Sequence, residues 1–349
     1  MSKSTHNRLL ELDALRGIAA ISVVAFHKAM GTPHNNLFFN YGLTGVDLFF
    51  IISGFVILMS LKRAISPRQF IIGRIIRLYP LYWIAVSLAA ISLLITGDAA
   101  LNGVFAIKYL ANLTMVHPYF LQGNMDGVYW TLLVELLFYA VMVTLFSFNK
   151  LNKIELWGAC LLPALFIYAL FLRAHIGTWG VRIHRFMPLI EFVPLFLSGV
   201  VFYNLKFEQK TVVRFLILAG CFVTQIALFH LGKDRIRWIT TYEYILPLTV
   251  YYLAFTLYCY NKLGFIVNPV TIFIGTVSYP IYLTHGTVSR LFHATGFFAS
   301  NFWLELLANI CLTTLLSFIL FYFIEKPILR FAKGRWMSSP KKTPELARA

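Results

Sequence analysis

The fold class this sequence predicts is all-α: a polytopic membrane helix bundle of about ten transmembrane helices. Three observations carry that expectation. Of 349 residues, 59% are hydrophobic and only 13% charged, against about 45–50% and about 25% in ordinary soluble domains. Mean hydropathy is +0.74. The apolar residues also fall in runs of about 17–25 residues, the length that crosses a bilayer. A soluble chain cannot hide so much apolar surface behind so few charges, which excludes a cytosolic enzyme, a secreted disulfide scaffold and a disordered chain.

The first run, Leu15–Met30, has no signal-peptide pattern. Asp13 and Arg16 sit where a clean apolar region would begin, and no small-residue cleavage site follows, so the run is expected to stay as a helix. Gly42–Leu61 and Leu78–Thr96 come next, with a basic segment between them. The one long connection, Gly97–Gly127, contains Val104–Val116, too short to span and suited to the interface. The remaining runs are Val128–Phe148, Leu156–His175, Phe186–Tyr203, Val212–Leu231, Tyr244–Tyr260, Pro269–Leu291 and Trp303–Ile324, joined by short polar turns. No linker, charge block or repeat divides them. One domain is expected over residues 1–335, followed by a short basic and polar tail, 336–349.

Lys and Arg number 30 against 14 Asp and Glu, a net charge of +16. In a soluble protein that balance points to nucleic acid; here the distribution gives another reason. An even number of crossings puts both termini on one side, and most of the basic residues fall on that side, from Lys3, Arg8 and Arg16 through residues 62–77 to the tail. That asymmetry predicts cytoplasmic termini, with the excess charge facing membrane lipids and no nucleic-acid partner. Cys160, Cys221, Cys259 and Cys311 lie inside apolar runs without CxxC or His/Cys ligand spacing, so neither a disulfide framework nor a metal is expected.

Ionisable groups inside a membrane are expensive and mark function by default. Here they are Arg16, His27, Asp47, Glu135, Glu191 and His285. Eleven helical steps of about 100° place Arg16 and His27 on nearly one face, about 16 Å apart along the axis. At about 1.5 Å per residue, His27, Asp47, Glu135, Tyr282 and His285 come to roughly 18, 22, 20, 20 and 24 Å from the inner edge of the core. A histidine, two carboxylates and a Tyr/His pair then share one level in the outer half, a composition that suits a general base with orienting acids. The competing reading of each residue alone is an interhelical hydrogen bond. Glu191, with no companion, is read that way.

The segment from Lys62 to Pro80 holds Lys62, Arg63, Arg68, Arg74 and Arg77 and no acid. Arg74 and Arg77 are three apart, hence on one helical face and able to grip a polyphosphate together. Positive-inside topology and lipid phosphate would also account for such a segment.

Six stretches carry a resemblance: Leu12–Gly17 with the Arg16/His27 pair, Gly45–Phe55 with Asp47, Arg74–Pro80, Trp130–Glu135, Ser278–His285 and Glu325–Pro327. In this order the chain resembles the acyltransferase 3 family of integral membrane acyltransferases, from Leu12 to about Pro327. The resemblance implies a multi-pass enzyme of the bacterial inner membrane. Such an enzyme passes an acyl group, usually acetyl, from cytoplasmic acyl-CoA to a hydroxyl of a glycan or lipid-linked glycan, such as lipopolysaccharide O-antigen, exopolysaccharide or peptidoglycan. It implies that Arg16 and His27 are the essential pair and that Arg74 and Arg77, with Arg68 nearby, contact acyl-CoA. Trp130, Ser278, Tyr279, Tyr282 and His285 stand in supporting or substrate-binding positions. Some relatives carry a further domain after the bundle; with about 22 residues following Pro327, none is expected here.

Joined to the depth argument, this gives an expected mechanism. Neutral His27 removes the acceptor proton while Asp47 or Glu135 fixes its tautomer, by direct transfer or through an acyl-histidine. All these groups are expected to face one shared cavity reaching inward to Arg74 and Arg77. A transporter or flippase using the same groups as a proton relay is the rival. It predicts inverted repeats and matching broken helices, which the sequence does not display.

Overall fold

The computed structural model describes residues 9–172, 175, 185–229, 233–297 and 300–335; the expected tail, 336–349, lies outside them. Among the described residues there are helices and turns and no strand. The helices are α1 (Leu10–Ala29), the short α2 (Leu37–Asn40), α3 (Gly45–Arg63), α4 (Pro67–Ile95), α5 (Gly103–Asn112), α6 (Trp130–Ser147) and α7 (Ile154–Ile167). They continue with α8 (Val193–Phe207), α9 (Val212–Phe229), the single turn α10 (Lys233–Ile236), α11 (Thr241–Cys259), α12 (Pro269–Thr276), α13 (Ser278–Ala294), α14 (Phe302–Leu320) and α15 (Lys326–Arg335).

Among the described residues, seven helical stretches are long and apolar enough to cross a membrane: 37–63, 67–95, 130–147, 151–171, 188–207, 212–229 and 302–332. The other three expected spans depart from that standard for visible reasons. α1 carries Glu11, Asp13, Arg16 and Lys28. α11 is rich in tyrosine, with Tyr242, Tyr244, Tyr251, Tyr252 and Tyr258. The run Pro269–Leu291, expected as one helix, is two, broken at Val277 between α12 and α13. Pro280 has no N–H to continue the ladder across that joint, and Ser278 Oγ donates instead to the Gly275 carbonyl (2.8 Å). The segment expected to lie in the interface contains the ten-residue α5, with Val104, Ile107 and Leu110 exposed.

The basic segment is mostly helix. α4 begins at Pro67, with Ser66 accepting from the Gln69 N–H (3.2 Å) as its cap. Arg74 and Arg77 therefore stand on a continuous helix, not on a loop.

Four helices pack in two pairs by close backbone approach rather than by side-chain interdigitation. α3 and α8 meet where Gly54 lies on the Phe196 carbonyl and Gly199 on the Ile51 carbonyl; a Cβ at either glycine would come within about 2.1 Å of backbone oxygen. α1 meets α12 through Gly17 and Gly275, where a Cβ on Gly275 would sit 1.9 Å from the Asp13 carbonyl. Small residues permit this contact in a bundle that has no hydrophobic drive between its helices. The consequence is positional: α1 is held between α3 on one side and the α12–α13 joint on the other, with Arg16 and His27 facing the interior.

Candidate active site

A cavity of about 210 Å³ opens between α1, α3, α4, α6 and α13. Its polar lining is Arg16, Ser53, Arg74, Arg77, Thr131, Glu135, Tyr139, Ser278, Tyr279 and Tyr282, with Val46, Phe49, Phe50, Val56, Ile57, Leu78 and Leu132 between them. Glu135 is its one acidic side chain. Ser53 Oγ (2.9 Å) and Tyr139 OH (2.5 Å) both donate to Glu135 Oε1. Arg74 donates through Nη2 to Ser60 Oγ (2.9 Å) and lies against the rings of Phe70 and Tyr139. Arg16 is held from behind by Asp13 (3.3 Å), and Arg77 by Glu325 (4.0 Å). Tyr279 OH donates to the Leu78 carbonyl (2.9 Å), tying α13 to the turn of α4 that carries Arg77. Three guanidiniums thus converge on one concave surface, each braced by a partner. Such a surface suits a phosphate-bearing ligand.

Tyr282 is the last residue along α13 to line the cavity. Its hydroxyl shares a hydrogen bond with Thr131 Oγ1 (2.8 Å) and reaches the Val128 carbonyl (3.2 Å), while Phe49 packs edge-on against its ring. One helical turn beyond Tyr282 along α13 lies His285.

His27 and His285 meet across 258 positions of sequence, with His285 Nε2 3.2 Å from His27 Nδ1. The network fixes their protons. His285 Nδ1 faces two carbonyls, Tyr282 (2.8 Å) and Ile281 (3.3 Å), so it is the N–H end and its Nε2 is an acceptor. His27 Nδ1 also lies 2.9 Å from the Val23 carbonyl. A proton on His27 Nδ1 satisfies both neighbours and leaves His27 Nε2 as a lone pair. That is the form a general base requires.

The expected single polar layer is not what the structure builds. Asp47 is fully buried and pairs with Arg235 (2.7 Å), whose guanidinium is packed among Phe192, Phe229 and Tyr244. Glu135 belongs to the arginine cavity. Neither is the partner of His27, and neither His27, His285 nor Asp47 lines the cavity. The reason is height as much as azimuth: Glu135 accepts from Ser53, six residues or about 9 Å further along α3 than Asp47, and so stands at the level of the arginines, while α3 turns Asp47 to Arg235. His285 occupies the orienting position that Asp47 or Glu135 was expected to fill. Arg68 is exposed and outside the cavity lining, and Trp130 is half-buried against Phe192, also outside it. Glu191 is buried in the turn before α8, on the Arg235 side.

One ionisable residue near the histidines was not singled out in the sequence. Asp126, in the segment between α5 and α6, is 4% exposed and lies against Gly286, the residue after His285. It follows no apolar run, so no depth could be assigned to it. Its neighbour Asn124, whose Oδ1 accepts from His117 Nε2 (2.6 Å), was likewise silent.

The profile of the Acyl_transf_3 family, described as an acyltransferase domain, matches residues 9–322. A Staphylococcus aureus (strain COL) protein provisionally named as an O-acetyltransferase is 27% identical over 351 residues, covering 90% of this chain and 56% of the relative. The exopolysaccharide production protein ExoZ of Rhizobium meliloti (strain 1021) is 36% identical over 126 residues, 33% of this chain and 37% of ExoZ. Nodulation protein 10 of Rhizobium leguminosarum bv. viciae is 27% identical over 198 residues, 49% of this chain and 50% of the relative. The chain spans little more than half the length of the Staphylococcus relatives. No solved structure matches it.

Proposed function

The chain belongs to the acyltransferase 3 family, and from that premise we propose that it transfers an acyl group, most simply acetyl, from cytoplasmic acyl-CoA to a hydroxyl of an envelope or extracellular glycan. The observation that carries this reading is the pairing of two chemically different stations on one helix. Arg16 of α1 belongs to the arginine cavity, and about three turns along the same helix His27 presents a free Nε2. The topology that goes with it has ten crossings and both termini in the cytoplasm of a bacterial inner membrane, with the arginines on the cytoplasmic side. The name of the exopolysaccharide-production relative favours a glycan acceptor.

In this reading Arg74 and Arg77, with Arg16, hold the CoA phosphates, and the pantetheine arm runs past Tyr282 toward His27. The Tyr282–Thr131 hydrogen bond and the Phe49 contact must open for it to pass. His27 Nε2 takes the proton of the acceptor hydroxyl as its oxygen attacks the thioester carbonyl. The C–S bond then breaks, the CoA thiolate takes the proton back from the imidazolium, and the products are ester and free CoA thiol. His285 accepts the His27 Nδ1–H throughout, the role an orienting acid plays in a triad. Among the described residues no cluster of three or more His, Cys, Asp or Glu groups forms a metal site, and the mechanism uses none.

Mass spectrometry of cell-surface glycan with and without the protein tests the proposal. Loss of O-acyl groups from an otherwise normal glycan supports it. Loss of the glycan itself from the surface, with its acylation intact in the retained pool, would favour a transporter.

A further inference from the structure

We infer that Asp126 is the electrostatic partner of His27: a positioning residue whose buried carboxylate stabilises the imidazolium formed when His27 accepts the acceptor proton. The inference rests on the general-base reading of His27 and adds a group to it.

The segment that carries Asp126 is built to hold it in place. Asn112, at the end of α5, receives the Met125 N–H on Oδ1 (2.9 Å) and donates through Nδ2 to the Gly123 carbonyl (3.0 Å). Tyr82, Trp83 and Tyr79 of α4 donate to the carbonyls of Asn112 (2.7 Å), Leu113 (3.0 Å) and Thr114 (3.0 Å). So anchored, the chain presses the Asp126 carboxylate onto α13, where a Cβ on Gly286 would meet its Oδ2 at 2.4 Å and its Oδ1 at 2.6 Å. Gly286 is therefore the residue that admits the carboxylate beside His285.

Once there, the carboxylate is poorly satisfied. Its hydrogen bonds are long: Val128 N–H to Oδ1 at 3.4 Å and Thr287 Oγ1 to Oδ2 at 3.5 Å. Arg290, one turn along α13, directs Nη1 to Ser92 Oγ (2.8 Å) and faces Asp98 at 3.7 Å, so it tempers the charge from a distance without binding it. Burial pushes the Asp126 carboxyl above the usual carboxylate range, opposed by Arg290. A buried carboxylate held without close donors gains most when a cation appears next to it, and a cation appears at His27 only as the proton moves. Stabilisation that grows toward the transition state accelerates the step.

Among the described residues, the titratable groups acting on His27 are His285, in contact with it from α13, and Asp126, set against Gly286 beside His285. On α3, Asp47 is turned to Arg235. On α14, Glu305 is paired with Lys28 and His293.

The test is the pH profile of kcat/KM with acetyl-CoA for the full chain in lipid nanodiscs, for wild type, Asp126→Asn, Asp126→Glu, Gly286→Ala and His27→Ala. Asp126→Asn should lower kcat about 10- to 100-fold with KM for acetyl-CoA unchanged, on the scale of a lost electrostatic contact in an active site. It should also move the acidic limb to lower pH, because a neutral amide no longer favours protonated His27. Asp126→Glu should restore the limb in part, and Gly286→Ala, which displaces the carboxylate, should reproduce the Asn effect. Wild-type kcat and an unmoved limb in Asp126→Asn, with His27→Ala inactive, would overturn the inference while leaving the general base intact. If Asp126→Asn does not accumulate, Gly286→Ala and Asp126→Glu decide on the same readout: a limb that stays in place in both overturns it. An active His27→Ala would instead remove the general-base reading beneath it.

Discussion

The two stations on α1 differ in how they treat charge. Around Arg16, three guanidiniums line an open cavity with Glu135 among them, braced by Asp13, Glu325 and Ser60. Around His27, the first partners are a second imidazole and a backbone carbonyl, and Tyr282, hydrogen-bonded to Thr131, lies one turn before His285 on α13. In the proposed reading one station holds a fixed anion and the other moves a proton. On that reading binding and chemistry are separable along one helix, so each should break without the other.

His27→Ala carries the largest expected effect on chemistry. Loss of a general base should lower kcat about 10²–10⁴-fold, with the protein still in the membrane and KM for acyl-CoA little changed; initial rates and quantitative blotting check both. A comparable loss in free energy, but of structure, is expected at Asp47→Ala. It leaves the Arg235 guanidinium buried without its carboxylate, a change that costs about 3–5 kcal/mol for a buried pair. Thermal unfolding in detergent should show it, and Asp47→Ala with wild-type stability would remove the clamp from the account.

At the arginine station, Arg74→Gln with Arg77→Gln should raise KM for acyl-CoA about 10- to 100-fold, the scale of two lost charge-assisted contacts. Lys at both positions should recover part of that, since a point charge lacks the guanidinium fork. Rising ionic strength should weaken wild-type binding. An unchanged KM with altered topology would return these arginines to a purely topological role.

The smallest effect lies outside both stations. Glu208, in the turn between α8 and α9, pairs with Lys62 and Arg214. Burial acts to raise its carboxyl, but Lys62 and Arg214 more than offset this and hold it below the usual carboxylate range. A depressed carboxyl stabilises the fold above its unfolded value, near pH 4, and loses that contribution as pH falls through the folded value. Glu208→Gln should therefore flatten the acid limb of stability against pH. At neutral pH the change should stay under about 1 kcal/mol, because the pair is solvent-screened.

What was legible in the sequence follows from what a one-dimensional pattern contains. Arg74 and Arg77 share a face because three residues make nearly one turn, and Arg16 joins them because α1 is continuous. Counting rise along helices also put His27 and His285 at comparable depth, and they touch. Neither rotation about the helix axis nor the offset between neighbouring helices is encoded in a counted depth, which is why Asp47 faces Arg235 and Glu135 stands lower, beside Ser53 in the arginine cavity. The break at Val277 was signalled by Pro280, but the apolar run on its N-terminal side and Ile281 to Leu283 beyond it kept the stretch within one expected span. Asp126 was hidden for the opposite reason: it sits among polar and turn residues, and only the anchoring of that segment by Tyr82 and Asn112 carries it inward.

The division of labour along α1 is tested most directly by initial rates of acetyl transfer from labelled acetyl-CoA in reconstituted membranes, with kcat and KM resolved for His27→Ala and for the Arg74→Gln, Arg77→Gln double variant. The account predicts that the first lowers kcat at constant KM and that the second raises KM with kcat largely kept. Both variants failing in the same parameter, or acetyl transfer proceeding at the wild-type rate in His27→Ala, would contradict it.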